Sequence, residues 1–106
     1  MYLNDVKLIG KVRKDAQLKA LTTGGWVLDF ALVTTKNFKD SKGEPITRKE
    51  THRIVAFNNV AKNIAAGGKL SADTEILVEG FLRSHERNGF PVTEVVARRL
   101  QTPAAV

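Results

Sequence analysis

Residues Arg48 to Gly68 read RKETHRIVAFNNVAKNIAAGG, a strand that runs into a short helix and stops at a glycine pair. Thr51, Arg53, Val55 and Phe57 alternate with His52, Ile54 and Ala56, the period of two expected of a half-buried strand. The period then changes. Val60, Ala61, Ile64 and Ala65 form one apolar stripe, with Asn58 or Asn59 available as a cap and Gly67-Gly68 as a terminator. A helix of about two turns is too short to stand alone, so it has to lie on a sheet.

Upstream, Val6, Leu8, Gly10 and Val12 alternate with Lys7, Ile9, Lys11 and Arg13, which reads as a first strand with an apolar and a largely basic face. Gly10 inside it marks a bend of the kind that closes a small barrel. Thr22-Thr23-Gly24-Gly25 is turn chemistry, and Trp26 to Thr35 is dense in β-branched and aromatic residues, a second strand. Lys36 to Lys49 contains Asp40, Ser41, Gly43 and Pro45 and reads as a polar, basic loop leading into the third strand, Arg48 to Phe57. Downstream, Glu75 to Ser84 and Val92 to Gln101 are a fourth and fifth strand joined around Asn88-Gly89, a strong hairpin signal. Three strands, a helix and two strands give an all-β chain with one short helix, the order of the OB-fold, a five-stranded Greek-key barrel. A β-rich α+β sheet covered by one helix is the alternative architecture. The 106 residues make one domain, expected over 1–101, with a short tail at 102–106.

Composition narrows the function. Hydrophobic residues at 42% and charged residues at 26% describe a globular chain, and no apolar run approaches the roughly 20 residues of a membrane span. The start Met1-Tyr2-Leu3-Asn4-Asp5 has no signal-peptide pattern, so a cytoplasmic protein is expected. With no Cys and only His52 and His85, neither a metal site nor a cofactor is expected. Gly68-Lys69 is not a phosphate loop, because Asn63 and Leu70 stand where Gly and Ser or Thr are needed. No nucleophile motif is present, and an enzyme is not expected. The net charge of +6 fits either a polyanion ligand or a basic surface that binds nothing, and the location of the charges decides between them.

Unpaired nucleic acid needs cations for phosphates and exposed aromatic faces for bases. Lys36, Lys39, Lys42, Arg48 and Lys49 surround Phe38 in the expected loop. Phe57 shares a strand face with Arg53 and reads either as a stacking platform or as a core residue at a strand end. Arg83 and Arg87 approach the Asn88-Gly89 hairpin as backbone clamps or as solvated edge charges. Phe30 and Phe81 read as core, whereas Trp26, at a strand start, fits either role. His52 points opposite to Phe57, as an interface or core histidine. Together with the apolar face of Val6 and Leu8 it predicts a symmetric dimer, with a tetramer as the next level of assembly.

Asn4-Asp5-Val6-Lys7-Leu8-Ile9-Gly10, the turn Gly24-Gly25, the strand Thr51 to Phe57, Val78-Glu79-Gly80 with Leu82-Arg83, and Thr93-Glu94-Val95-Val96 occur in one order over Asn4 to Leu100. In that order and spacing the chain resembles the DNA-binding core of the bacterial single-stranded DNA-binding protein family. The resemblance implies an OB-fold that forms a homotetramer or dimer. It also implies sequence-independent binding of single-stranded DNA in replication, recombination or repair, a nucleoid location, and replication or repair proteins as further partners. By the same resemblance Phe38 falls on a stacking Trp, Phe57 on a stacking Phe, His52 on a subunit-contact histidine, and Arg53 and Arg83 on basic residues that track the backbone. Thr51 and Arg87 depart from it, standing where members carry two further stacking Trp residues; an Arg can still stack its guanidinium plane. The loop before Val92 is short, and no linker or acidic tip follows Leu100 in these residues. These departures keep a primosomal OB-fold adaptor as the alternative function, and an RNA-binding OB-fold as a third.

Overall fold

A computed structural model describes residues 1–103. Its elements are β1 (Val6–Val12), β2 (Ala16–Gln17), β3 (Lys19–Ala20), β4 (Trp26–Lys39), β5 (Pro45–Phe57), α1 (Asn58–Ile64), β6 (Lys69–Leu70), β7 (Glu75–Arg87) and β8 (Phe90–Gln101). Strands pair in the order β1-β7-β8-β5-β4, and β1 returns to β4 through Lys11 opposite Val33 and Val12 opposite Leu32, which closes the barrel. β5 and β8 run parallel at Ile54/Val95 and Val55/Val96, and the other pairs are antiparallel. This is the OB-fold, with α1 between the third and fourth barrel strands.

The alternation places Val12, Leu28, Leu32, Ile54, Ile76 and Val78 inside, all fully buried. Ala61 and Ala65 of the helix stripe complete that core, so α1 stoppers one end of the barrel. Two glycines permit close strand approach. A Cβ on Gly10 would strike the Val33 carbonyl where β1 crosses from β7 to β4, and one on Gly80 would strike the Val96 carbonyl beside a register shift between β7 and β8. Asn88 and Gly89 both have positive φ, at 53° and 80°, as their two-residue hairpin requires.

Three expectations need correction. Lys36 to Lys49 is mostly not a loop: β4 and β5 stay paired out to Lys39 opposite Pro45, leaving a turn from Asp40 to Glu44. The Asp40 carboxylate ties that turn by accepting from the Lys42 and Glu44 backbone N–H groups at 2.8 and 2.9 Å. Beyond the barrel the hairpin arm has no core to face, so its residues carry no apolar alternation. Neither Asn58 nor Asn59 caps α1. Phe57 occupies the cap position without a side-chain bond, while Asn58, at φ 52°, turns its Oδ1 to accept the Trp26 N–H at 3.1 Å. The fourth and fifth strands also run further than expected, to Arg87 and from Phe90. The last three residues of the expected tail lie outside the described residues.

Candidate nucleic-acid interface

Strand alternation puts Arg53, Val55 and Phe57 of β5 on the outer face of the barrel, opposite the buried Ile54 and Ala56. β8 adds Glu94 and Val96 to that face, and β7 adds Phe81, Arg83 and His85, in register through Arg83/Glu94 and Phe81/Val96. Val55 and Val96 are covered by these longer side chains and are themselves buried.

Glu94 is the centre of the patch. It is 6% exposed, a carboxylate set among the cations of this face. Its Oε1 accepts from Arg83 Nε and Nη2 at 3.2 and 2.6 Å and lies 3.3 Å from His85 Nε2, while its Oε2 is 3.7 Å from Arg53 Nε. Arg53 is fixed from the other side by Asp29, with Nη2 donating to Oδ2 at 3.1 Å, and its Nε is a buried donor with no hydrogen-bond acceptor. Arg83 places its guanidinium carbon 5.6 Å from the centre of the half-buried Phe57 ring, which fixes ring and cation side by side. Arg98, at the register shift, does the same over Phe81 at 4.7 Å.

The β7–β8 hairpin carries the face beyond the barrel. Arg87 is exposed at its tip, and directly across the ladder stands Phe90, 72% exposed. The expected residues therefore divide. Arg53, Phe57 and Arg83 come together, and Arg87 continues their face. Phe38 does not join them, because alternation along β4 sets it on the side of Phe30 and Leu32, away from Phe57. It is half-buried against Ile46, its ladder partner, with Lys36 Nζ 5.9 Å and Arg48 Cζ 5.6 Å from its ring centre. Lys49 faces the Arg53 side of the arm, Lys39 lies near the arm's end, and Lys42 is in its turn. Trp26 is half-buried beneath Lys62, 5.7 Å from its ring. His52 points away from Phe57 and is 2.8 Å from the Thr34 hydroxyl. Val6 and Leu8 are half-buried against the chain's own core, and Ile9, on the opposite side of β1, is the exposed apolar residue of that strand.

Sequence reasoning missed Glu94, His85 and Phe90. The signals were present as an acidic residue four positions after an aromatic that directly follows a two-residue turn, but their meaning depends on the cross-strand register. Among the described residues no group of three or more His, Cys, Asp or Glu side chains is placed to hold a metal ion, and no helix is long and apolar enough to cross a membrane.

A single-stranded DNA-binding protein of Chlorobaculum tepidum is 35% identical over 82 residues, 77% of this chain and 49% of that protein. The Neisseria meningitidis single-stranded DNA-binding protein is 29% identical over 89 residues, 84% of this chain and 50% of that protein. The chain thus spans about half the length of the curated relatives it matches. Among solved structures, Plasmodium falciparum SSB in complex with ssDNA superposes with a TM-score of 0.80 at 26% identity, covering 95% of this chain and 93% of that one. A deletion variant of the Thermus aquaticus single-stranded DNA-binding protein gives the same TM-score and identity over 93% of this chain and 49% of that one. Residues 3–102, nearly the whole chain, match the family's own sequence pattern, and the chain belongs to the Single-strand binding protein family.

Proposed function

We propose that this chain binds single-stranded DNA with little sequence preference. The observation that carries the reading is one outward face on which Phe57 and Phe90 offer rings to unpaired bases, with Arg53, Arg83 and Arg87 beside them for phosphates. Stacking is indifferent to sequence because every base has a π-face. The hairpin arm supplies a second surface, with Lys36, Phe38 and Arg48 on one side, Lys49 on the other and Lys39 and Lys42 toward its end, for the strand as it passes around the protomer. The names of the relatives, and the ssDNA held by the Plasmodium falciparum protein, support the same reading. A primosomal adaptor is less favoured, since an adaptor has no need of a face that sets guanidinium groups beside an exposed Phe90 and a half-buried Phe57. In this role the chain is a binding protein of replication, recombination or repair, working in the cytoplasm on the nucleoid.

Self-association belongs to the proposal. Val6 to Gly10 pair with β7 on one side, whereas only Lys11 and Val12 pair with β4 on the other, so the first part of β1 keeps an open edge beside exposed Ile9. A second β1 in antiparallel register would satisfy those backbone groups in a two-fold dimer, and light scattering should give a mass above the 11.7 kDa protomer.

Titration of labelled oligo-dT over a salt series tests the binding. Five phosphates neutralised per protomer should give a slope of log K against log salt of about −3.5. A slope near zero, or equal affinity for duplex and single strand, refutes the proposal; preference for oligo-rU of equal length would replace DNA by RNA as the ligand.

A further inference from the structure

We propose that a recess beside this face, about 710 Å³ in volume, is a backbone-phosphate subsite gripped by Arg13 and Lys14. The inference rests on the single-strand reading and extends the path of the strand past Arg53 to the end of β1.

The register leads there. The Arg13 N–H donates to the Ala31 carbonyl at 2.9 Å, continuing the β1–β4 ladder by one residue, so the Arg13 side chain emerges on the Ala31 side of the sheet. Ala31 is opposite Arg53, Arg53 contacts Glu94, and Glu94 is opposite Arg83. Arg13, Ala31, Arg53, Glu94 and Arg83 therefore form one row across five strands of the barrel. Neighbouring strands lie about 4.8 Å apart, which separates Arg13 from Arg53 by roughly 10 Å of sheet. Ala31 and Thr51 form the floor between them, and their small side chains leave the space open.

Charge identifies the occupant. Two carboxylates line the recess, and both are engaged: Asp29 pairs with Arg53, while Asp15 accepts the Ala72 N–H at 2.7 Å and lies 3.6 Å from Lys69. Those contacts hold the Asp15 carboxyl below its ordinary range, the Ala72 hydrogen bond first and the Lys69 charge second. Arg13 and Lys14 are exposed and enter no ion pair among the described residues. Phe30, the one aromatic of the lining, is 5% exposed and offers no ring face. Free cations over a floor without a stacking surface suit a phosphodiester and not a base.

The test is the double variant Arg13→Ala with Lys14→Ala, titrated with oligo-dT over salt. Its control is Lys7→Ala with Arg99→Ala, which removes the same charge at Lys7 and Arg99, in register through Glu79 and outside the row. The first variant should make the slope shallower by about 1.4, roughly a 25-fold loss of affinity at 0.1 M salt, and the control should change it far less. Unchanged binding in the first variant, or an equal loss in both, overturns the subsite while single-strand binding by the unaltered chain stands. Failure of the unaltered chain to bind oligo-dT removes the parent reading and the subsite with it.

Discussion

Replacing Glu94 by Gln should move stability and DNA binding in opposite directions. Glu94 sits 6% exposed between Arg83, His85 and Arg53, and the arginine side chains are 45% and 35% exposed. A hydrogen bond to a charged group contributes roughly 1.5–3 kcal/mol, and truncating a fully buried ion pair costs about 3–5 kcal/mol. Here the cations reach water when the carboxylate is lost, and the Gln oxygen still accepts one of the two Arg83 bonds, so about 1–2 kcal/mol should disappear. For a domain of this size that lowers the thermal midpoint by roughly 4–16 °C. The same change removes a negative charge from the proposed phosphate-binding face and loosens its hold on two guanidinium groups, Arg83 keeping one bond and Arg53 its pair with Asp29. Each new phosphate contact steepens the salt slope by about 0.7. Thermal melts with oligo-dT titrations at several salt concentrations measure both. An unaltered midpoint, or weaker binding with a shallower slope, would refute the reasoning; the latter would make Glu94 a residue that aims the arginines at phosphate.

Phe57→Ala and Phe90→Ala should each weaken oligo-dT binding by roughly 1–3 kcal/mol and leave the salt slope unchanged, because stacking releases no counterions; a loss confined to the slope would count against both platforms. Phe90→Trp should report binding by indole quenching, whereas Trp26, half-buried under Lys62, should contribute little signal in the unaltered chain. Gly80→Ala drives a methyl into the Val96 carbonyl and should cost roughly 1–3 kcal/mol in urea denaturation; no loss would mean that β7 and β8 can part at the register shift. Asp15→Ala tests the pin between the β1–β2 connection and Ala72. Because the folded carboxyl is shifted downward, its contribution is present above its ordinary value near pH 4 and fades as pH falls through the lowered one, so the melting difference between variant and wild type should vanish in acid.

How much of this was legible in sequence follows from where a core lies beneath the chain. Val6 to Val12, Arg48 to Phe57 and the helix stripe face a common interior, so burial imprints their period, and the barrel order could be read directly. Where the interior ends, the imprint ends. Lys36 to Lys39 and Pro45 to Lys49 are a mostly polar ladder with one apolar pair, Phe38 and Ile46, and backbone pairing leaves no mark on side-chain pattern. The two-residue ladder of Ala16-Gln17 with Lys69-Leu70 is too short to show any period. For the site, Arg53 and Phe57 were legible because both lie on one strand, two turns of alternation apart. Glu94 and Phe90 gain their meaning only from Arg83 and Arg87 across the β7–β8 ladder, and Arg13 only from Ala31. Such neighbours are set by register, which a linear reading does not supply.

The pairing of the arm has a calorimetric consequence. A loop from Lys36 to Lys49 would have to be ordered on contact with DNA, at about 1–2 kcal/mol of backbone entropy per residue. In the paired arm only the turn from Asp40 to Glu44 lies outside the ladder, and Asp40 already ties it down. The heat-capacity change of binding should accordingly match the area of buried base and ring alone, with no added contribution from coupled folding.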